Sequence, residues 1–562
     1  MKGLIDTEIG VTAFDGPSVL EAAYARIERE ISSLKTAICA WKMRHNALNI
    51  TSRLPTELLT TVFQYVAGAS NCMDPDWIQV THVCSHWRHV ALKCPTLWSN
   101  IAINRKYDEV AVYLERSGSA TLAIEGELCF DCDAHAMERS PALHAVFADT
   151  LRIRHISLTQ PNFFITCDGK FFETFNKPAP MLESLTLINH SNRSSPKIPE
   201  NIFLGQCPRL RSLALQTLLF SWDSHIFRGL TSLEITRHPN SHRSSITQVM
   251  SALESMPNLG KLHLDSVLVL LPYNTMLSPP AQGLHLPRLK YLHMSADIIS
   301  CVYFVKYLTT PMAVIKLECK RPSGVVFNAS VAATKHLWPS LSYGACSIRC
   351  LSMKESIKGL TQFRAWTSPG TCTVEPRSEP LFDIQLVNLE CTRESAQAIW
   401  SALHLQELET LHITSEFLGS DQWQKHWSRL RVLRNLRIEV EGPGRGLVPK
   451  AFLEVLRHGI PGERNGPGPL RFQALRAIAL VGDDTTSYYR GQFFKDSDQG
   501  AERRQCFEQL MSCIHDRSKR GVAIREIYIT DFNMEMGQLD ELKRVVNKVH
   551  WAIEESESES DW

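Results

Sequence analysis

Cys129 and Cys132, separated by Phe130 and Asp131 and followed by His135, have the opening spacing of a zinc site. A structural zinc site needs four ligands, usually as a second close pair, and no such pair follows at a usual distance. Asp131, Asp133 or His144 complete a site only if the fold happens to gather them, so no metal is expected. The run GPGRG at 442–446 follows the strand-like LRNLRIEV and precedes the helix-like PKAFLEVLRHG, the setting of a phosphate-cradling turn. Its glycine spacing is not the dinucleotide fingerprint, and Pro443 and Pro449 remove backbone donors. A plain strand-to-helix loop explains it better. The chain has no G-x-S-x-G elbow, no G-x-x-x-x-G-K-[ST] loop and no H-E-x-x-H pair. Its 21 histidines are dispersed, several beside recurring strand motifs (His155, His263, His293, His412). They read as rim or core-edge residues rather than as a base beside a nucleophile. No catalytic centre and no cofactor is expected.

The informative chemistry is apolar. Pro55 can open a helix because its missing N–H costs nothing in the first turn, and Glu57 suits the positive end of the helix dipole. Leu58, Leu59, Val62, Phe63 and Val66 then recur at three- and four-residue spacing, which predicts one broad apolar face. After a polar break at 71–75, Trp77, Val80, Cys84, Trp87 and Ala91 repeat the pattern on a second predicted helix, widened by Val83 and Val90. Pro95 ends it, and Trp98 follows as a bulky plug. Two short helices this apolar cannot bury all their surface on each other, so a partner is expected.

The segments LPTELLTTVF, VTHVCSHWRHVAL and PTLW together resemble an F-box of the F-box-like type. The Leu-Pro pair maps to Leu54 and Pro55, and the apolar positions of the first helix to Leu58, Leu59, Val62 and Phe63. The Val-x-x-x-Trp-Arg signature maps to Val83, Trp87 and Arg88. The resemblance covers about a tenth of the chain. It implies that these nine residues dock onto a Skp-type adaptor and, through it, a cullin. The spacer GASNCMDP is longer and more polar than in the shortest members of that family, which leaves the angle between the helices open.

Upstream, residues 18–47 read as a helix with Leu20, Tyr24, Ile27, Ile31, Leu34 and Ile38 on one side and Glu28, Arg29, Glu30 and Lys35 solvated. Packing beside the hairpin is the expectation; a coiled-coil or dimerisation segment is the alternative. From Ile101 onward a unit of apolar-x-x-apolar-x-apolar recurs. Its copies include MLESLTL (181–187), RLRSLAL (209–215), GLTSLEI (229–235), NLGKLHL (258–264) and RLKYLHM (288–294). They continue in ELETLHI (407–413), VLRNLRI (432–438), ALRAIAL (474–480) and AIREIYI (523–529), with weaker copies at 152–158 and 312–317. The last two apolar residues alternate as a strand does, and the first closes the turn that enters it. Pro208, Pro257 and Pro287 stop the preceding segment from running on as helix. A spacing of roughly 20–30 residues in the early copies is that of leucine-rich repeats.

The expected fold is therefore an α/β solenoid: a small all-α F-box-like unit (48–101) behind an N-terminal helix (1–47), then an irregular leucine-rich-repeat array (102–532). The array resembles the irregular repeats found behind F-boxes in a family common in mushroom-forming fungi. Residues 320–380 break the rhythm and are expected to form a strand-rich insertion that projects from the array. Two further insertions are expected at 461–471 and 483–504. Residues 533–562 are expected to hold a capping helix bearing Leu539, Leu542, Val545, Val546 and Val549, then a disordered acidic tail.

Composition narrows the partners. Across 562 residues, 44% hydrophobic and 21% charged content are ordinary for a soluble protein, and a formal net charge of +1 argues against nucleic acid. The N-terminus lacks a signal-peptide pattern, and no stretch approaches about 18 uninterrupted apolar residues, so no membrane span is expected. The 16 scattered cysteines read as reduced, packed thiols, which places the chain inside the cell, in cytoplasm, nucleus or both. The resemblance implies a non-catalytic substrate receptor of a Skp–Cullin–F-box ubiquitin ligase, with an unknown client held by the repeats. On that reading, Glu234, His263, His293, His412 and Arg437 are candidates for client contact. A scaffold acting outside ubiquitylation is the alternative, and an enzyme hidden in 320–380 a third reading.

Overall fold

The computed structural model describes residues 16–69, 75–103, 107–127, 141–160, 170–190, 196–238, 243–269, 283–310, 313–320, 347–356, 360–387, 403, 405–414, 430–440, 450–457, 470, 472–482, 497–530 and 536–552. The Cys129–Cys132–His135 cluster, the glycine run at 442–446, most of the two later insertions and the acidic tail lie outside them. A helical N-terminal region is followed by a strand-rich region. Contacts divide the chain into two units, 1–194 with 201–209 and 195–200 with 210–562.

In the first unit, helix α1 (Pro17–Ala47) runs 31 residues and buries none of them. The expected packing beside the hairpin is thus corrected: α1 lays no apolar residue into the core. Helix α2 (Thr56–Ala69) follows a 3₁₀ turn at Ile50–Arg53, whose Asn49 side chain accepts from the Thr51 N–H. The single second helix that was expected is broken in three. A 3₁₀ turn at Asp76–Gln79 leads into α3 (Val80–Val83), and α4 (Ser85–Leu92) starts afresh. The break is Cys84, whose backbone is extended (φ −158°, ψ 168°) and whose thiol accepts the Trp87 N–H at 3.5 Å as the cap of α4. A 3₁₀ turn at Pro95–Trp98 closes the segment.

Strands β1 (Asn100–Ile103), β2 (Leu122–Glu127), β3 (Ile153–Gln160) and β4 (Ser184–Asn189) follow, each pairing in parallel with the next. Helix α5 (Tyr107–Arg116) connects the first two. By contacts these four strands group with the helical segment. Gly126 stands opposite Ile103, and a Cβ there would lie 2.1 Å from the Ile103 carbonyl oxygen. Only glycine permits so close a backbone approach.

The second unit begins with β5 (Ser212–Gln216), β6 (Ser232–Thr236), β7 (Lys261–Asp265), β8 (Leu284–His285), β9 (Tyr291–Asp297), β10 (Leu308–Thr309) and β11 (Val314–Lys320). β5, β6, β7, β9 and β11 form one parallel ladder, while β8 and β10 pair with each other. Leu213, Leu233, Leu262, Leu292 and Ile315 stand side by side along it, all buried. The first apolar residue of each repeat unit, Leu210, Leu230, Leu259 and Leu289, is buried beneath them. Period-two alternation thus sends one row of side chains to the core and the next row outward. Helix Ile246–Glu254 packs beside β8 and opens with a capping box between Ser245 and Gln248.

The described part of 320–380 is strand-rich, but it does not project. Of β12 (Cys350–Ser356), β13 (Leu360–Trp366) and β14 (Phe382–Val387), β13 runs antiparallel to the other two, while β14 pairs in parallel with β11 and β12 in parallel with the next strand. They enter the sheet in reverse order. Backbone pairing explains this: strands within the ladder leave no edge N–H or C=O groups unpaired. The parallel ladder then resumes as β15 (Thr410–Thr414), β16 (Asn435–Val440), β17 (Ala477–Gly482), β18 (Glu526–Thr530) and β19 (Lys548–Ala552). The last helix among the described residues is Met536–Val545, burying Leu539 and Leu542. Val549, expected on that helix, lies on β19 and stands beside Ile527. Among the described residues, no helix is long and apolar enough to cross a membrane.

Candidate functional site

The broad apolar stripe of α2 splits into two flanks. Leu59 and Phe63 are 1% and 0% exposed, whereas Leu58 and Val62 are 55% and 45% exposed on the adjoining flank of the same helix. The inner flank is fixed by aromatic packing. Phe63 meets Trp87 of α4 at 5.1 Å between ring centroids. Behind them Trp98 stacks edge-on against Trp77 at 5.0 Å and Tyr113 of α5 at 5.2 Å. The Trp98 indole donates to the Ala91 carbonyl at 2.9 Å, and Arg116 lies over its ring at 4.4 Å. Burial in this cluster, with Glu109 nearby, pushes the Tyr113 hydroxyl up to about 12. Gln64 donates to Thr96 at 2.8 Å and ties α2 to the closing turn.

The outer flank carries the chemistry a partner can use. Leu54, Pro55, Leu58, Val62 and Val83 are exposed; Trp87 is half-buried against Phe63, and Arg88 points to solvent. Leu59 and Phe63, expected among the contact residues, are core instead. They hold the outer flank in place and present no surface. The sequence pattern did not single out Leu48, Ile50 or Tyr65, each more than 70% exposed. Tyr65 was legible in principle, three residues after Val62 and seven after Leu58 on one helical face. Leu48 and Ile50 sit in a turn with no periodicity to mark them. Exposed large apolar side chains along one helix flank, as at Leu58, Val62 and Tyr65, are the kind of surface that partners bind.

The outward row of the second unit is polar. Glu234, His263, His293 and Lys316 stand in register across β6, β7, β9 and β11. Glu234 approaches His263 Nδ1 at 3.3 Å, the two imidazoles stack at 4.3 Å, and His293 Nε2 lies 3.5 Å from Glu318. Burial, then His263 and Lys316, hold His293 below the usual histidine range, with Glu318 opposing. His412 departs from expectation. It is 1% exposed and its Nε2 lies 2.9 Å from the Thr371 carbonyl, so it cannot touch a client. Arg437 bonds Glu439 at 2.8 Å, and Lys354 bonds the same carboxylate at 2.9 Å. Burial pushes Glu439 up, but Lys354 and Arg437 together bring it below the usual carboxylate range. Among the described residues, no group of three or more potential ligands is placed to hold a metal ion.

The F-box-like family model matches residues 51–104, the stretch that carries both flanks. The chain therefore carries an F-box-like domain there, and such domains generally bind Skp-type adaptors. No curated protein matches the chain.

Proposed function

We propose that this protein is a substrate receptor of a Skp–Cullin–F-box type ubiquitin ligase, working inside the cell. The observation that carries the reading is the exposed apolar flank of Leu54, Leu58, Val62 and Val83 in an F-box-like domain. That flank docks on the adaptor, and the adaptor brings the cullin. The strand ladder is an irregular leucine-rich-repeat solenoid, a reading supported by its recurring apolar unit and its in-register parallel strands. Its outward row, with Glu234, His263 and His293, receives the client. The chain forms no covalent bond itself. It raises the local concentration of a client lysine near a ubiquitin-charged enzyme supplied by the complex.

The test is affinity capture of the full chain and of Leu58→Asp/Val62→Asp from a eukaryotic lysate, with adaptor and cullin quantified. Both partners are expected with the parent. Both are expected to be lost, at least tenfold, from a variant whose melting temperature is unchanged. Capture of adaptor without cullin moves the protein to a scaffold outside ubiquitylation. Capture of neither by the parent overturns the proposal.

A further inference from the structure

Helix α1 is anomalous for a protein of this size: 31 residues, about 46 Å of helix, with nothing buried. An isolated helix in water gains most of its stability from an apolar face laid on something else. Its apolar residues do follow a rule. Leu20, Tyr24, Ile27, Ile31, Leu34, Ile38 and Trp41 alternate strictly at four and three residues, three full heptads without a break. This is the seam of a coiled coil, with Leu20, Ile27, Leu34 and Trp41 at one core position and Tyr24, Ile31 and Ile38 at the other. The seam is open: Tyr24 is 66% and Trp41 63% exposed.

The residues flanking the seam say what closes it. On one flank stand Glu21, Glu28, Lys35 and Lys42, acidic in the N-terminal half and basic in the C-terminal half. None of the four has an oppositely charged residue three or four positions away, so none is paired along its own helix. A second copy lying antiparallel places Glu21 against the partner's Lys42 and Glu28 against the partner's Lys35. Symmetry repeats each pair, giving four. The same alignment seats Ile27 on the partner's Ile38, Ile31 on the partner's Leu34 and Tyr24 on the partner's Trp41. The parallel arrangement keeps only Glu30 against the partner's Lys35 and its symmetry mate, and stacks Trp41 on the partner's Trp41. Flanking charges of this kind set partner and orientation in coiled coils.

We infer that the protein is a homodimer joined through α1, the two helices antiparallel. This does not rest on the adaptor reading: α1 buries none of the hairpin and leaves the exposed flank of α2 unclaimed. A dimer of this kind presents two adaptor-binding flanks and two strand ladders, so that a client with two recognition segments is held by both.

Sedimentation equilibrium of the full chain tests it. The parent is expected at twice the chain mass, and Ile31→Gln/Ile38→Gln, which changes exposed positions only, at the chain mass. Glu28→Lys alone is expected to raise the dimer dissociation constant roughly tenfold, since two attractive pairs become repulsive. Adding Lys35→Glu is expected to restore it, because the swapped pair again meets with opposite charge. A monomeric parent, or a dimer that survives Ile31→Gln/Ile38→Gln, overturns the proposal. Failure of the double charge swap to restore association overturns the antiparallel order. Adaptor capture by Ile31→Gln/Ile38→Gln, read in parallel, separates loss of the dimer from loss of fold.

Discussion

His412 shows what a buried neutral side chain does to the pH dependence of the whole fold. Burial holds its imidazole below its ordinary value of 6.5, aided by Arg437 and Lys354, while the Thr371 carbonyl and Glu375 oppose. The unfolded chain therefore takes up the proton first. Between the unfolded value and the lower folded one, the unfolded state binds more protons, so stability rises with pH there. The contribution is complete above about pH 6.5 and is lost as pH falls toward the folded value. Chemical denaturation at pH 7 and pH 5 is expected to show a loss on acidification, each such histidine adding at most about 1.4 kcal/mol per pH unit. His412→Gln is expected to flatten that slope; an identical slope would mean that other groups set it. Residues of the F-box-like domain divide by the same criterion of burial. Phe63→Ala is expected to cost about 3–5 kcal/mol of stability, whereas Leu58→Asp leaves the fold intact.

At the scale of elements, backbone approach decides what the side-chain pattern cannot. β2 runs so close to β1 that Gly126 has no room for a methyl group. Gly126→Ala is expected to lower the melting temperature of the full chain by several degrees, by forcing β2 off its register with Ile103. The same substitution at Gly118, which has open space around it but a positive φ of 52°, is expected to cost less. Comparing the two melting curves separates steric exclusion from conformational preference. The break at Cys84 is a second case. Helical spacing runs straight through it, because periodicity reports which residues face the core and not whether the backbone is continuous.

The whole molecule is two contact units, each with its own buried rows. Differential scanning calorimetry is expected to show two transitions, with Phe63→Ala lowering one and leaving the other at its parent temperature. A single transition that shifts as a whole would show the two units to unfold together. The order of strands in the second unit belongs to this scale as well. β12, β13 and β14 lie between β11 and β15 in reverse order, and β13 runs against the direction that β11, β14, β12 and β15 share.

Local sequence pattern is enough to place the recurring parallel strands and the apolar row that they bury. Leu213, Leu233 and Leu262 are legible because an alternating apolar pair after a closing leucine is a local code, read within seven residues. It also determined the F-box-like domain, because Leu54-Pro55 and Trp87-Arg88 are fixed at short range. Tertiary structure alone decided which half of each apolar set is spent. Leu59 and Leu58 are identical residues one position apart, yet the first is buried in the domain core and the second is exposed. The same holds for His412 and His263, both on strands, one buried with its ring nitrogen on the Thr371 carbonyl and the other partly exposed beside Glu234. Periodicity names a face, but only the packing of distant segments determines whether that face is core, surface or the seat of a partner.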